Sequence, residues 1–265
     1  MTQDKARNQN RKIRILAIVF WIAFWQIASM IIDKEMRLAS PVAVIGAFFH
    51  LVGEGMFWNS ILRSFTSIAG GFFLSLLFGV IFAIGSYCSL IFREMITPLI
   101  KIIKTTPVAS FIILALLWVE PNKLSILISF LMVLPVIYTN VLLGLNNTDR
   151  NLLEMAKVFR MGWTKKLRYI YVPEIMPYFV SACSVGLGFC WKSGIAAEII
   201  GLPKNTIGEN LYEAKLYLMT KELFAWTFVI ICVSVIFEKL ILWMLKLLQN
   251  SLTQNQANRY RKRSR

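Results

Sequence analysis

The sequence predicts an all-α integral membrane protein of about six transmembrane helices, and three observations carry that reading. Of its 265 residues, 57% are hydrophobic and the mean hydropathy is +0.62. A soluble domain is usually about 45–50% apolar, so the excess needs somewhere other than a water-facing surface. The apolar residues also gather into six stretches, each near the roughly 20 helical residues that cross a hydrocarbon core. Only 16% of residues are charged, yet the net charge is +15, and the bases lie between the apolar runs. Bases so placed mark cytoplasmic loops beside anionic lipid, not a nucleic-acid surface.

Residues 1–14 are a basic tail, and the first span follows at 15–32. A basic segment before an apolar run also suits a secretory signal. This run is long for that, and Asp33-Lys34-Glu35-Met36 follows in place of small cleavage-site residues, so it reads as a retained span. Residues 40–59 are too mixed to cross. There Val42, Ile45, Ala47, Phe48, Phe49 and Val52 predict a short amphipathic helix at the interface. Further spans fall at 65–87, 95–118, 124–145, 175–195 and 224–246, and 247–265 is a second basic tail. The expectation is one membrane domain, 15–246, between two short ends.

With the N-terminus in the cytoplasm, the inner segments hold seventeen Lys and Arg and the outer ones six. That bias places both ends on the cytoplasmic side of a bacterial cell membrane. Pro98, Pro107 and Pro135 interrupt the spans. Each removes a backbone donor and bends its helix, either as ordinary packing geometry or to line a path. Cys88, Cys183, Cys190 and Cys232 are dispersed among apolar residues and His50 is the only histidine. No metal or cofactor pattern arises, and none is expected to carry catalysis.

The longest cytoplasmic segment, 146–173, is the informative one. Leu152, Met155, Ala156 and Phe159 recur at helical spacing on one face. Gly162 then provides a break, and Trp163, Leu167 and Ile170 repeat the spacing before Val172-Pro173 ends the second helix. Two short amphipathic helices between spans predict a docking element. A pair lying on the membrane surface would show the same periodicity.

These residues resemble the cytoplasmic loop of permease subunits of bacterial ATP-binding-cassette importers, whose pattern is E-A-A-x3-G-x9-I-x-L-P. Glu154, Ala156, Ile170 and Pro173 match it, and Val172 stands for the Leu. Met155 replaces the second Ala, and Arg160 occupies the Gly position. Because Arg favours helix, the first helix is expected to run to Met161 with Gly162 supplying the turn. Ser40-Pro41, Ser60-Ile-Leu-Arg63-Ser-Phe, Pro107-Val-Ala-Ser, Leu134-Pro through Gly144, Ala196-Ala-Glu198-Ile-Ile-Gly201 and Ile207-Gly208 resemble the nitrate, taurine and aliphatic-sulfonate branch. The resemblance implies the type I importer permease fold and an assembly of two permeases with two cytosolic ATPases. It also implies an extracytoplasmic binding protein.

The chain has no G-x-x-x-x-G-K-[ST] phosphate loop; Gly201–Gly208 ends in Gly-Glu. ATP chemistry is therefore expected in a partner, docked through Leu152, Glu154, Met155, Ala156, Phe159, Arg160, Gly162, Ile170 and Pro173. Ala156 is expected to let the partner approach, or else to pack within the permease. Pro107, Asn140, Lys192 and Glu198 are candidates for the translocation path, with Lys192 either drawing an anion or pairing with Glu198. The competing class is a secondary transporter or channel driven by an ion gradient, which places carboxylates inside spans. Only Glu238 of the fourteen acids does so in this reading.

Overall fold

The computed structural model describes the backbone of residues 2–32 and 38–263, and every regular element there is helical. In order these are α1 (Thr2–Ile32), α2 (Pro41–Val52), α3 (Gly55–Cys88), α4 (Leu90–Thr105), α5 (Val108–Ala115), α6 (Pro121–Asn146), α7 (Arg150–Val158), α8 (Trp163–Lys166), α9 (Val172–Gly201), α10 (Ile207–Leu216) and α11 (Thr220–Arg263). A π-helical turn, Leu167–Tyr171, joins α8 to α9. Local chemistry sets several starts. Ser40, Ser89 and Asp149 cap α2, α4 and α7 by accepting backbone N–H bonds from Ala43, Phe92 and Asn151.

Four helical stretches are long and apolar enough to cross a membrane alone: α3, α6, the continuous run Trp163–Gly201, and Thr220–Leu247 of α11. The expected span at 95–118 is instead broken. α4 and α5 meet at 105° and pass the test only as a pair. The cause is Pro107, which drives the preceding Thr106 out of the helical region to φ −79°, ψ 131°. The expected first span lies in α1, whose apolar run, Ile15–Ile31, is shorter than the others. The described helices thus give four spans, or five with the bent pair, where the sequence predicts about six. α2 forms where the interfacial helix is expected.

α3, α6 and α9 make the centre of the bundle. Lipid tails are as apolar as leucine, so helices in a bilayer associate through close fit and shared hydrogen bonds. Small residues provide both. A Cβ added at Gly71 would lie 2.5 Å from the Ile126 carbonyl oxygen, and one at Gly194 would lie 2.6 Å from Ser129 Oγ. Ser75 Oγ donates to Phe130 O at 2.8 Å, Ser129 Oγ to Cys190 O at 3.1 Å and Ser125 Oγ to Gly194 O at 3.2 Å. α11 packs its Phe237 ring against Phe65, Phe72 and Trp191. α1 lies outside this centre, with Trp25 against Phe224.

Candidate coupling site

The segment after α6 folds tightly. Thr148 Oγ1 bonds back to Gly144 O at 3.3 Å, and Asn147 Nδ2 donates to Tyr178 Oη at 3.1 Å, fixing the loop to α9. Asp149 then starts α7. Its apolar residues divide between two duties. Ala156 is 0% exposed and Leu152 and Leu153 are half-buried, so they hold α7 against its own chain. Val158 at 79%, Phe159 at 73%, Trp163 at 59% and Met155 at 45% exposed point outward as one apolar patch. Lys157, Arg160, Lys165 and Arg168, all exposed, and half-buried Lys166 surround it.

Ala156 packs within its own chain, the second of the two roles expected of it. Ile170 is likewise buried. Glu154 and Gly162 are exposed and Pro173 is half-buried.

Arg160 supplies a correction. α7 stops at Val158, and Arg160 takes φ 47°, the left-handed conformation that glycine would adopt there. Met161 N–H bonds Ala156 O at 2.9 Å and Arg160 N–H bonds Lys157 O at 3.0 Å. This pair of bonds is the Schellman cap, and it consumes carbonyls that the helix end would leave open. Its two hydrogen bonds, together with burial of Ala156, outweigh arginine's preference for continuing the helix. Gly162 is extended and caps the start of α8. The left-handed residue costs about 1 kcal/mol. Arg160→Gly should therefore slow hydrogen exchange of the Met161 amide by about fivefold, the rate equivalent of that energy. A faster exchange in Arg160→Gly would mean that the helix really runs on through Met161.

The second helix does not end at Val172-Pro173 as expected. α8 passes through the π turn directly into α9, giving one helical run of 39 residues, Trp163–Gly201. Val172 N–H bonds Leu167 O, five residues back. A proline has no N–H and crowds the preceding turn, and the wider π turn just before Pro173 accommodates it. Trp163 rests on Tyr171 with ring centroids 6.0 Å apart, and Tyr171 Oη meets Tyr87 Oη of α3 at 3.4 Å.

The four path candidates lie on three different parts of the bundle. Pro107 sits exposed at the α4–α5 bend, and Asn140 is half-buried with its Nδ2 on Val136 O at 2.9 Å. Lys192 is exposed, and the ion pairs His50–Glu54 and Lys123–Glu120 do not involve it. It does not pair with Glu198, because six helical residues set the two about 120° apart around α9. Glu198 lies inside the fold, bonded to Ser64 and Gly208. The sequence reading ended the fifth span before this acid, whereas α9 carries it.

With this geometry in place, the family described as "Binding-protein-dependent transport system inner membrane component" matches residues 75–254, which includes the whole of segment 146–173. The chain belongs to that family. Its relatives include an aliphatic sulfonates transport permease protein of Bacillus subtilis, 25% identical over 77% of this chain and 74% of that one. The taurine transport system permease protein of Escherichia coli is 22% identical over 88% and 86%. Among solved structures, a bacterial alginate ABC transporter bound to its alginate-loaded periplasmic protein shares the fold, with TM-score 0.54, 14% identity and 96% of each chain covered. The chain is thus a multi-pass inner-membrane transport component.

Two features of this inner-membrane component escaped the sequence reading. Val158 is the most exposed apolar side chain of the patch, yet it lies off the helical stripe that the spacing picks out. Ser64 and Gly208 join Glu198 across the fold. Their segments were noted for resemblance, but no local pattern ties residues 134 positions apart.

Proposed function

We propose that this permease is one half of the membrane channel of an ATP-driven importer, passing a small solute into the cytoplasm. The observation that carries the reading is the apolar patch on α7 and α8, placed at one end of a helix that continues through the membrane. Water-exposed Val158, Phe159 and Trp163 on a rigid mount call for a partner surface. In this reading the partner is a cytosolic ATPase, one per permease. Two permeases assemble, as identical copies, and a binding protein delivers solute outside.

The excess of basic residues in the segments that include 146–173 supports a cytoplasmic location for the patch and for both ends. An anionic solute, of the sulfonate, taurine or nitrate kind, fits Lys192, since a lysine on a spanning helix needs water or an opposite charge; a heterocyclic nutrient would need another contact. Asn140 and Pro107 are proposed to line the same path.

Topology and energy source are tested together. A cysteine at Lys204 should react with an impermeant maleimide added to intact cells, and one at Lys165 only after permeabilisation. Tagged permease should retain an ATPase on purification. The reverse labelling pattern removes the docking reading. Uptake that collapses with an uncoupler while no ATPase is bound establishes the ion-driven alternative.

A further inference from the structure

Glu198 is three residues from the end of α9 and only 1% exposed. A carboxylate inside a spanning helix is retained at a cost and needs partners. Its Oε2 accepts from Ser64 Oγ of α3 at 2.8 Å and from Gly208 N–H of α10 at 3.1 Å. Ser64 Oγ in turn accepts from Ile207 N–H at 2.9 Å. The first two amides of α10, which the helix itself leaves free, are therefore satisfied by side chains of two spanning helices. The positive end of α10 faces the carboxylate. One turn earlier on α3, Ser60 Oγ accepts from Asn210 Nδ2 at 3.0 Å. A side chain at Gly208 would collide with the Glu198 Cβ and backbone, so α10 is seated as closely as the chain allows.

Stability alone accounts poorly for this arrangement. Among the described residues Glu198 Oε1 has no partner at hydrogen-bonding geometry, and a half-satisfied buried carboxylate is worse for folding than a fully satisfied neutral group. What the carboxylate does provide is a strong, directional tie between three elements. One of them is the 39-residue helix whose other end is Trp163 in the docking patch. At 1.5 Å per residue that helix is roughly 58 Å long, so α10 and the patch lie on opposite sides of the bilayer.

We infer that Glu198 is a positioning residue, which ties α10 to α9 so that movement at the binding-protein side and movement at the ATPase side are one displacement. The inference rests on the docking reading above. Coupling between two sites is reciprocal, so a nucleotide-driven change at the patch must alter α10. Leu216, Tyr217 and Leu218, exposed at the tip of α10, offer the binding protein its apolar contact.

The test uses the permease with its ATPase in lipid nanodiscs, Cys88 and Cys232 replaced by serine and a cysteine placed at Lys204. The readout is the maleimide labelling rate without nucleotide and after trapping with MgATP and vanadate. The intact tie should give at least a fivefold rate change. Glu198→Ala and Ser64→Ala should reduce it below twofold with the ATPase still bound. Glu198→Gln, which keeps an acceptor for Gly208, should recover part of it. Ser60→Ala, which removes only the contact to Asn210, should retain most of the response even if Glu198→Ala proves unstable. A full response in Glu198→Ala or Glu198→Ala-like loss in Ser60→Ala overturns the inference. Loss of the ATPase from the unaltered complex instead overturns the docking reading on which it stands.

Discussion

Phe159→Asp will strip the ATPase from the purified transporter while leaving the permease folded. The side chain is 73% exposed, so its own chain gains little from it and the variant should match the parent in melting temperature and elution volume. At an interface the same ring is an anchor. Buried aromatic anchors typically contribute about 2–4 kcal/mol, and a carboxylate forced against an apolar partner adds its desolvation penalty. The expected loss of affinity is therefore on the order of thirtyfold to a thousandfold, read as the fraction of ATPase retained on tagged permease. Phe159→Leu should keep most of the binding. Full retention by Phe159→Asp would show that the patch lies on lipid headgroups, the outcome that spacing alone left open.

The second large effect concerns neighbouring glycines of α3. Gly71→Leu should cripple folding and Gly70→Leu should not. At Gly71 the obstacles are backbone atoms, the Ile126 carbonyl oxygen at 2.5 Å and the Phe130 amide at 3.1 Å, which cannot rotate aside as a side chain would. Nothing lies within 4 Å of a Cβ at Gly70. Even Gly71→Ala should cost about 1–3 kcal/mol by overpacking, while Gly70→Ala should gain up to about 1 kcal/mol of helix propensity. Apparent melting in detergent separates the two. Equal losses at both positions would mean that α3 and α6 do not touch along this seam.

How much of this was legible beforehand differs by element. The four long spans and the interfacial helix follow from composition and length, which are properties of one segment at a time. The two short helices between the spans were legible too, because amphipathic spacing survives in a short helix. The rest depends on contacts. Arg160 favours helix by itself, and only the two bonds closing on Ala156 and Lys157 show that the chain reverses there. Ala156 belongs to the apolar stripe, but spacing does not say whether a small residue faces partner or parent. The bond between Ser64 and Glu198 spans 134 positions, beyond any local pattern. Pro107 was noted as an interruption; that it turns the chain by 105° requires the neighbours of α5 as well as the ring.

The π turn at Leu167–Tyr171 bears on how such chains diverge. Five residues occupy a turn where an α-helix would use about four, so the faces before and after it are out of phase by roughly 100°. This is why Trp163 and Leu167 look outward while Ile170 and Tyr171, on the same unbroken helix, look inward. Loss of a single residue there would restore the ordinary winding and leave every transmembrane contact of α9 in place. It would also swing the outward face of Trp163 and Leu167 around the helix axis. In this stretch, then, length is as informative as residue identity. If the proposed docking holds, a one-residue gap between two such permeases marks a change in which ATPase surface each can accept, even where the flanking letters agree.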